Sequence, residues 1–279
     1  MKLKMYFLLL ALGALGLQSC DNDDDDLSYV PAELKNAFTA KYPTVSNEKW
    51  ETKGNYYVAD FRHQNYETSA WFTSDGTWQM TETDIPYQAL PSAVKSAFES
   101  SEYAKWKIDD VDMLERLDME TVYVIEVESG KQEFDLYYST EGILIKSVAE
   151  TDNDSGNYLP AEVPAAIENF IKEKYPNARL AEIEVEHRMT EVDIIHNNIS
   201  KEVVFNSSNQ WAYTSWDVHR NALPVEVTSA IASSPQYAGY HVDEADFFET
   251  PTGEYYLVEL EKGELEVKVK ITAKGEFIP

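Results

Sequence analysis

The chain has 279 residues and carries 50 Asp and Glu against 23 Lys and Arg, a formal net charge of −27. Such a surface excludes a nucleic-acid binder, which needs a basic stripe to displace counterions from phosphate. With 18 Tyr, 11 Phe and 6 Trp, the chain is too aromatic for a disordered acidic polymer, so its body is folded.

The start of the chain reads as an address. Lys2 and Lys4 precede an apolar stretch, Met5 to Leu17, that falls short of the ~20 residues needed to span a bilayer. It ends in Leu17-Gln18-Ser19-Cys20, which resembles a bacterial lipobox. The resemblance implies a lipoprotein signal peptide over residues 1–19 and acylation of Cys20. No second cysteine exists to pair with it, so stability has to come from packed cores rather than disulfides. Residues 20–29 are expected to form an acidic tether, because the run Asp21-Asn22-Asp23-Asp24-Asp25-Asp26 repels itself and stays extended. The run also resembles the export signal of Bacteroidetes surface lipoproteins. The implied location is the cell envelope, as an outer-membrane lipoprotein facing the periplasm or exposed at the surface.

Internal repetition dominates the rest. Val30-Pro31, Leu90-Pro91, Leu159-Pro160 and Leu223-Pro224 recur at intervals of roughly 60–70 residues. Each proline is followed by apolar residues three, six and seven places on, as in Leu34, Ala37 and Phe38, which is one face of a helix begun at the proline. Pro164 would break a helix begun at Pro160, so the third is expected to start nearer Val163. Units one and three close their helices with Lys41-Tyr42-Pro43 and Lys174-Tyr175-Pro176. Units two and four carry Tyr103-Ala104 and Tyr237-Ala238 instead, giving an A-B-A-B order.

After each helix the apolar period becomes two. Leu265, Val267, Val269 and Ile271 alternate with charged residues, and Lys53-Gly54-Asn55, Ser74-Asp75-Gly76, Ser129-Gly130-Lys131, Thr140-Glu141-Gly142 and Lys262-Gly263-Glu264 mark turns. Each unit therefore predicts one helix and about four antiparallel strands. A single unit of this size buries too little surface to be secure, so units are expected to pair into lobes at 30–150 and 158–279, joined by a linker at 151–157. The fold class is α+β.

The Leu/Val-Pro openings, Lys-Tyr-Pro, Gly54-Asn55-Tyr56-Tyr57 and Ser74-Asp75-Gly76-Thr77-Trp78 together resemble the PepSY-like, β-lactamase-inhibitor-like family of secreted Bacteroidetes proteins. The resemblance implies two lobes of helix-plus-sheet units and a sheet that binds protein.

Motifs of covalent chemistry are missing from the sequence. It has no Gly-x-Ser-x-Gly elbow, no phosphate loop, and five dispersed histidines without metal-ligand spacing. Asp152 to Asn157 lacks the glycine position and terminal Glu of a calcium loop. No catalytic residue, metal ligand or cofactor is assigned, and the chain is expected not to be an enzyme. Aligning the repeats places Trp78, Leu144, Trp211 and Phe277 in one apolar column, with Trp78 and Trp211 expected in the core. On the opposite sheet face Asp60, Glu126 and Glu259 align, which predicts contact with water. Tyr56, Trp71, Tyr137 and Tyr255 share that face and form the candidate binding face. The expected function is that of a lipid-anchored binding module for a protein or peptide. The alternatives are a calcium-responsive envelope protein, suggested by the charge, and an accessory lipoprotein in glycan uptake.

Overall fold

The computed structural model describes residues 30–149, 160 and 162–279. The signal peptide, Cys20, the acidic tether and the linker at 151–157 lie outside the described residues. Within them the chain builds α1 (Ala32–Lys41), β1 (Lys49–Lys53), β2 (Tyr56–His63), β3 (Tyr66–Phe72), β4 (Trp78–Asp84), α2 (Ser92–Glu99), β5 (Lys107–Arg116), β6 (Val122–Ser129), β7 (Gln132–Ser139) and β8 (Leu144–Ala149). The plan then repeats with α3 (Ala165–Lys174), β9 (Arg179–Glu186), β10 (Met189–His196), β11 (Ile199–Phe205), β12 (Trp211–Asp217), α4 (Val225–Ser233), β13 (His241–Thr250), β14 (Gly253–Lys262), β15 (Leu265–Ile271) and β16 (Phe277–Ile278). Each set of strands forms one eight-stranded antiparallel sheet in chain order, so two units share a sheet through β4–β5 and through β12–β13.

The prolines act one place earlier than expected. Pro31, Pro91, Pro164 and Pro224 sit at the N-cap positions, and each helix begins at the next residue. In unit three Pro164 takes this part in place of Pro160, and α3 starts at Ala165. The predicted apolar faces reach the sheet: Leu34 and Phe38, Val94 and Phe98, Ile167 and Ile171, and Val227 and Ile231 are all buried. Each such side chain contributes about 1.5–3 kcal/mol of burial free energy. Four cores result, one under each helix.

The turn after the third strand of a unit packs against that unit's helix. At Gly142, with φ +78°, a Cβ would stand 2.5 Å from the carbonyl oxygen of Ala93 in α2, so both the backbone conformation and the space demand glycine. Gly275 repeats the contact on Glu226. This close approach is the physical content of the Ser-Asp-Gly and Thr-Glu-Gly turns seen in the sequence.

Alternate residues of each strand point away from the helices. Part of this far face in one lobe packs on part of the far face in the other. Leu114, Val122, Val124, Tyr137 and Ile145 of the first lobe form one buried cluster with Ala181 and Ile195 of the second. Arg116 Nη1 meets Glu182 Oε2 at 2.9 Å with side chains only 4% and 11% exposed, which makes this a buried ion pair between lobes. Arg179 forks onto Glu141 at 2.8 and 2.9 Å, and the Glu120 N–H donates to the Leu180 carbonyl at 2.7 Å.

Candidate functional site

The predicted binding face divides between the lobes. Trp71 is 2% exposed in a cluster with Val58, Met80 and Tyr56, and Tyr137 is 8% exposed in the inter-lobe cluster. The sequence placed both on a face open to water, and the structure corrects this: both are buried. The physical reason is that Asp60 and Glu126 share that face with Val58, Met80, Leu114, Val122 and Val124, an apolar area that needs a cover. Tyr56 is half-buried and donates its hydroxyl to the Pro160 carbonyl at 2.9 Å.

Carboxylates left among apolar side chains have raised pKa values. Burial pushes Glu82 up to about 7 against the opposing charges of Lys53 and Arg116, and burial reinforced by neighbouring acids pushes Asp112 up to about 8. Burial also raises Glu191 to about 7 and lifts Asp193 well above the usual carboxylate range, with Lys146 opposing both shifts.

The second lobe keeps an aromatic face. Phe248 and Tyr255 are half-buried and stacked, with ring centroids 5.1 Å apart and an interplanar angle of 3°. Tyr213 extends the row at 5.5 Å from Phe248, and Lys270 Nζ lies 5.2 Å from the Tyr255 ring. Strand pairing places Tyr255 opposite Phe248 across β13–β14, so the row is a cross-strand ladder on rigid elements.

On the helix side, the Lys-Tyr-Pro units share a constellation. The Tyr42 hydroxyl is hydrogen-bonded to Thr81 Oγ1, which also accepts from Trp78 Nε1 at 2.9 Å. Lys41 Nζ lies 3.5 Å from the Trp78 ring centroid. Unit three reproduces it: Tyr175 bonds Thr214 at 2.7 Å, Trp211 donates to Thr214 at 3.0 Å, and Lys174 covers Trp211 at 4.4 Å. Burial raises both phenols, Tyr42 to about 12. Trp78 and Trp211 thus pack at the edge of their cores as expected. Leu144 and Phe277, from the same apolar column, are 41% and 40% exposed. Their units close without Lys-Tyr-Pro, so the constellation that seats the indole is missing there. In the first lobe a cavity of about 350 Å³ opens beside the constellation, lined among others by Tyr42, Thr68, Thr83, Met113 and Glu115.

The family model described as "Putative beta-lactamase-inhibitor-like, PepSY-like" matches residues 55–146, 150–198 and 190–279. The chain belongs to this PepSY-like family. Among solved structures, a BLIP-like protein from Bacteroides fragilis is 38% identical, with 50% of this chain covering 100% of that one at a TM-score of 0.46. A DUF2874 family protein from Bacteroides ovatus is 30% identical over 45% of this chain and 93% of its own, TM-score 0.43. Another from Bacteroides uniformis is 26% identical over 46% and 96%, TM-score 0.44. A search of curated proteins found no match.

In this PepSY-like chain some site residues escape sequence reasoning. His241, Asp243 and Glu261 bring potential metal-ligand atoms within 4.8 Å of one another, with His241 Nε2 3.3 Å from Glu261. The pairing of His241 with Glu261 crosses two strands, so local spacing did not reveal it. In the first lobe Lys107 holds the matching place, bonded to Asp109 at 2.9 Å and Glu128 at 2.6 Å. Arg116 and Glu182 were missed for the same reason: their contact joins distant segments. No helix among the described residues is long and apolar enough to cross a membrane.

Proposed function

We propose that this protein is a non-enzymatic binding module of the cell envelope, anchored through lipid on Cys20, and that it recognises a protein or peptide. The observation that carries the reading is the half-exposed ladder of Tyr213, Phe248 and Tyr255 in the second lobe. Stacked aromatic side chains on paired strands offer a large contact area at little conformational cost, which suits the centre of a protein interface. Of the four residues first assigned to the face, Tyr255 keeps this role. Tyr56, Trp71 and Tyr137 serve the covered face of the first lobe. The missing nucleophile and phosphate-loop motifs in the sequence, together with family membership, support binding rather than catalysis.

A photo-crosslinking amino acid at position 255, activated in intact cells, tests the reading. The expected product is one predominant crosslinked polypeptide whose affinity for the purified protein drops about tenfold in Phe248→Ala. A captured partner indifferent to Phe248→Ala and Tyr255→Ala contradicts the assignment.

A further inference from the structure

Because the lobes share one plan, positions on the two sheets correspond. Thr81 faces Glu115 across β4–β5, and Thr214 faces Glu249 across β12–β13. Tyr42, His63 and Trp78 match Tyr175, His196 and Trp211, down to the ring contacts of the tyrosines with the histidines at 5.6 and 5.4 Å. On this helix-side surface Tyr66 and Met113 are replaced by Ile199 and Phe247, and two further positions change together. Thr68 and Thr83 line the first lobe's cavity, while their counterparts are Lys201 and Trp216.

The second lobe uses that space internally. Lys201 is only 7% exposed, its Nζ lies 3.1 Å from the Trp216 ring centroid and 5.5 Å from the Tyr175 ring, and Glu249 attracts it. In the first lobe the Tyr42 ring and the Glu115 carboxylate remain, but the amine and the indole are replaced by two small hydroxyl side chains, leaving about 350 Å³. Lys41 lines the cavity and is attracted by Glu115, but its ammonium lies over the Trp78 ring at 3.5 Å and farther from the Tyr42 ring, at 5.8 Å. Its presence does not bar a second cation either: the counterpart Lys174 sits 3.3 Å from Glu249 alongside Lys201.

We propose that the first lobe's cavity binds a small arylalkylamine, a ligand that brings the aromatic ring and protonated amine which the second lobe supplies from Trp216 and Lys201. The ammonium is placed between Glu115 and the Tyr42 ring, where the threonine hydroxyls can accept its remaining N–H groups. The ring lies against Met113, Ile85 and Tyr123, which line the same cavity. The volume falls within the range of small-molecule sites. The carboxylate at the rim and the −27 formal charge of the chain favour a cation over an anion. This site is separate from the aromatic ladder and stands whether or not that surface binds a partner.

Calorimetry on the purified full chain tests it with three probes. Tryptamine carries ring and amine, butylamine the amine alone, and indole-3-propionate a similar ring with the opposite charge. Tryptamine is expected to bind one to one with a Kd of about 0.1–1 mM, and the other two at least about tenfold more weakly. Thr68→Lys with Thr83→Trp installs the second lobe's own pair and is expected to abolish binding while circular dichroism stays unchanged. Should that pair strain the first lobe, Glu115→Gln at an exposed carboxylate gives an independent arm, with about threefold or greater weakening for tryptamine and none for uncharged 3-methylindole. Absence of saturable heat with tryptamine at millimolar concentration, or undiminished binding in the folded filled variant or in Glu115→Gln, overturns the proposal.

Discussion

The two lobes are built on one plan and finished in opposite ways. The first buries part of the far face of its sheet against the second lobe and leaves a cavity open on its helix side. The second fills the matching space with Lys201 and Trp216 and leaves a row of aromatic residues half-exposed on its far face. The order of helices and strands is the same in both lobes, while the side chains on the two sheets differ. A sheet face is thus a replaceable surface on a fixed frame, and similar positions in the repeats need not do similar work.

Breaking the contact between lobes has the largest expected effect. Arg116→Ala leaves Glu182 buried without its partner, which costs about 3–5 kcal/mol, read from urea unfolding. Arg116→Met with Glu182→Leu should recover most of that loss, because the apolar pair needs no compensation for lost hydration. A double variant no more stable than Arg116→Ala would mean the ion pair is not what holds this contact.

Opening the second lobe is the next test. Lys201→Thr with Trp216→Thr copies the first lobe's residues and removes a half-buried indole. The expected cost is about 2 kcal/mol, less than for a fully buried tryptophan. No loss of stability would show that Trp216 does not pack the space as described.

A smaller effect comes from pH. Glu82, Asp112 and Glu191 titrate in the native state at about 7, 8 and 7, above the usual carboxylate values. The native state therefore keeps protons that the unfolded chain releases. Their contribution is most favourable below the unfolded values and is lost as pH rises through the native ones. Melting temperature should rise by about 3 °C from about pH 8 to about pH 5.5, and Glu82→Gln with Asp112→Asn should flatten the rise. Glu141, whose carboxyl Arg179 holds low, adds stability that disappears only as pH falls below the ordinary carboxylate range, outside this window. A melting temperature that climbs with pH across the window contradicts the assignment.

The smallest expected change in stability is at the anchor. Cys20→Ala should abolish lipid labelling and release the protein from membranes, while both lobes melt as before. Continued membrane attachment of this variant would remove the lipoprotein reading.

Much of the frame was legible in the sequence because it rests on local rules. Proline before an apolar helical stripe, period-two strands and turn glycines each act within a few residues, and they located four helices and alternating strand residues such as Val269 and Ile271, which are buried. The A-B-A-B order was visible in Lys-Tyr-Pro, although its work, a tyrosine–threonine–tryptophan network capped by lysine, appears only in three dimensions. The far face was misread for Tyr137 because aligned acids signal water only where no second sheet arrives, and for Trp71 because it is buried in a cluster with Val58, Met80 and Tyr56. Arg116 and Glu182 bring that sheet in, and nothing local marks either residue. The replacement of Thr68 and Thr83 by Lys201 and Trp216 was present in the aligned repeats, but only strand register and burial show that the two changes share one space.

The most direct test of the division between lobes is hydroxyl-radical footprinting of the purified protein, read residue by residue by mass spectrometry. The account predicts ready modification of Phe248 and Tyr255, and protection of Trp71 and Tyr137 despite their high intrinsic reactivity. Modification of Trp71 and Tyr137 at the rate of Tyr255 would contradict it, because the first lobe's far face would then be open to water.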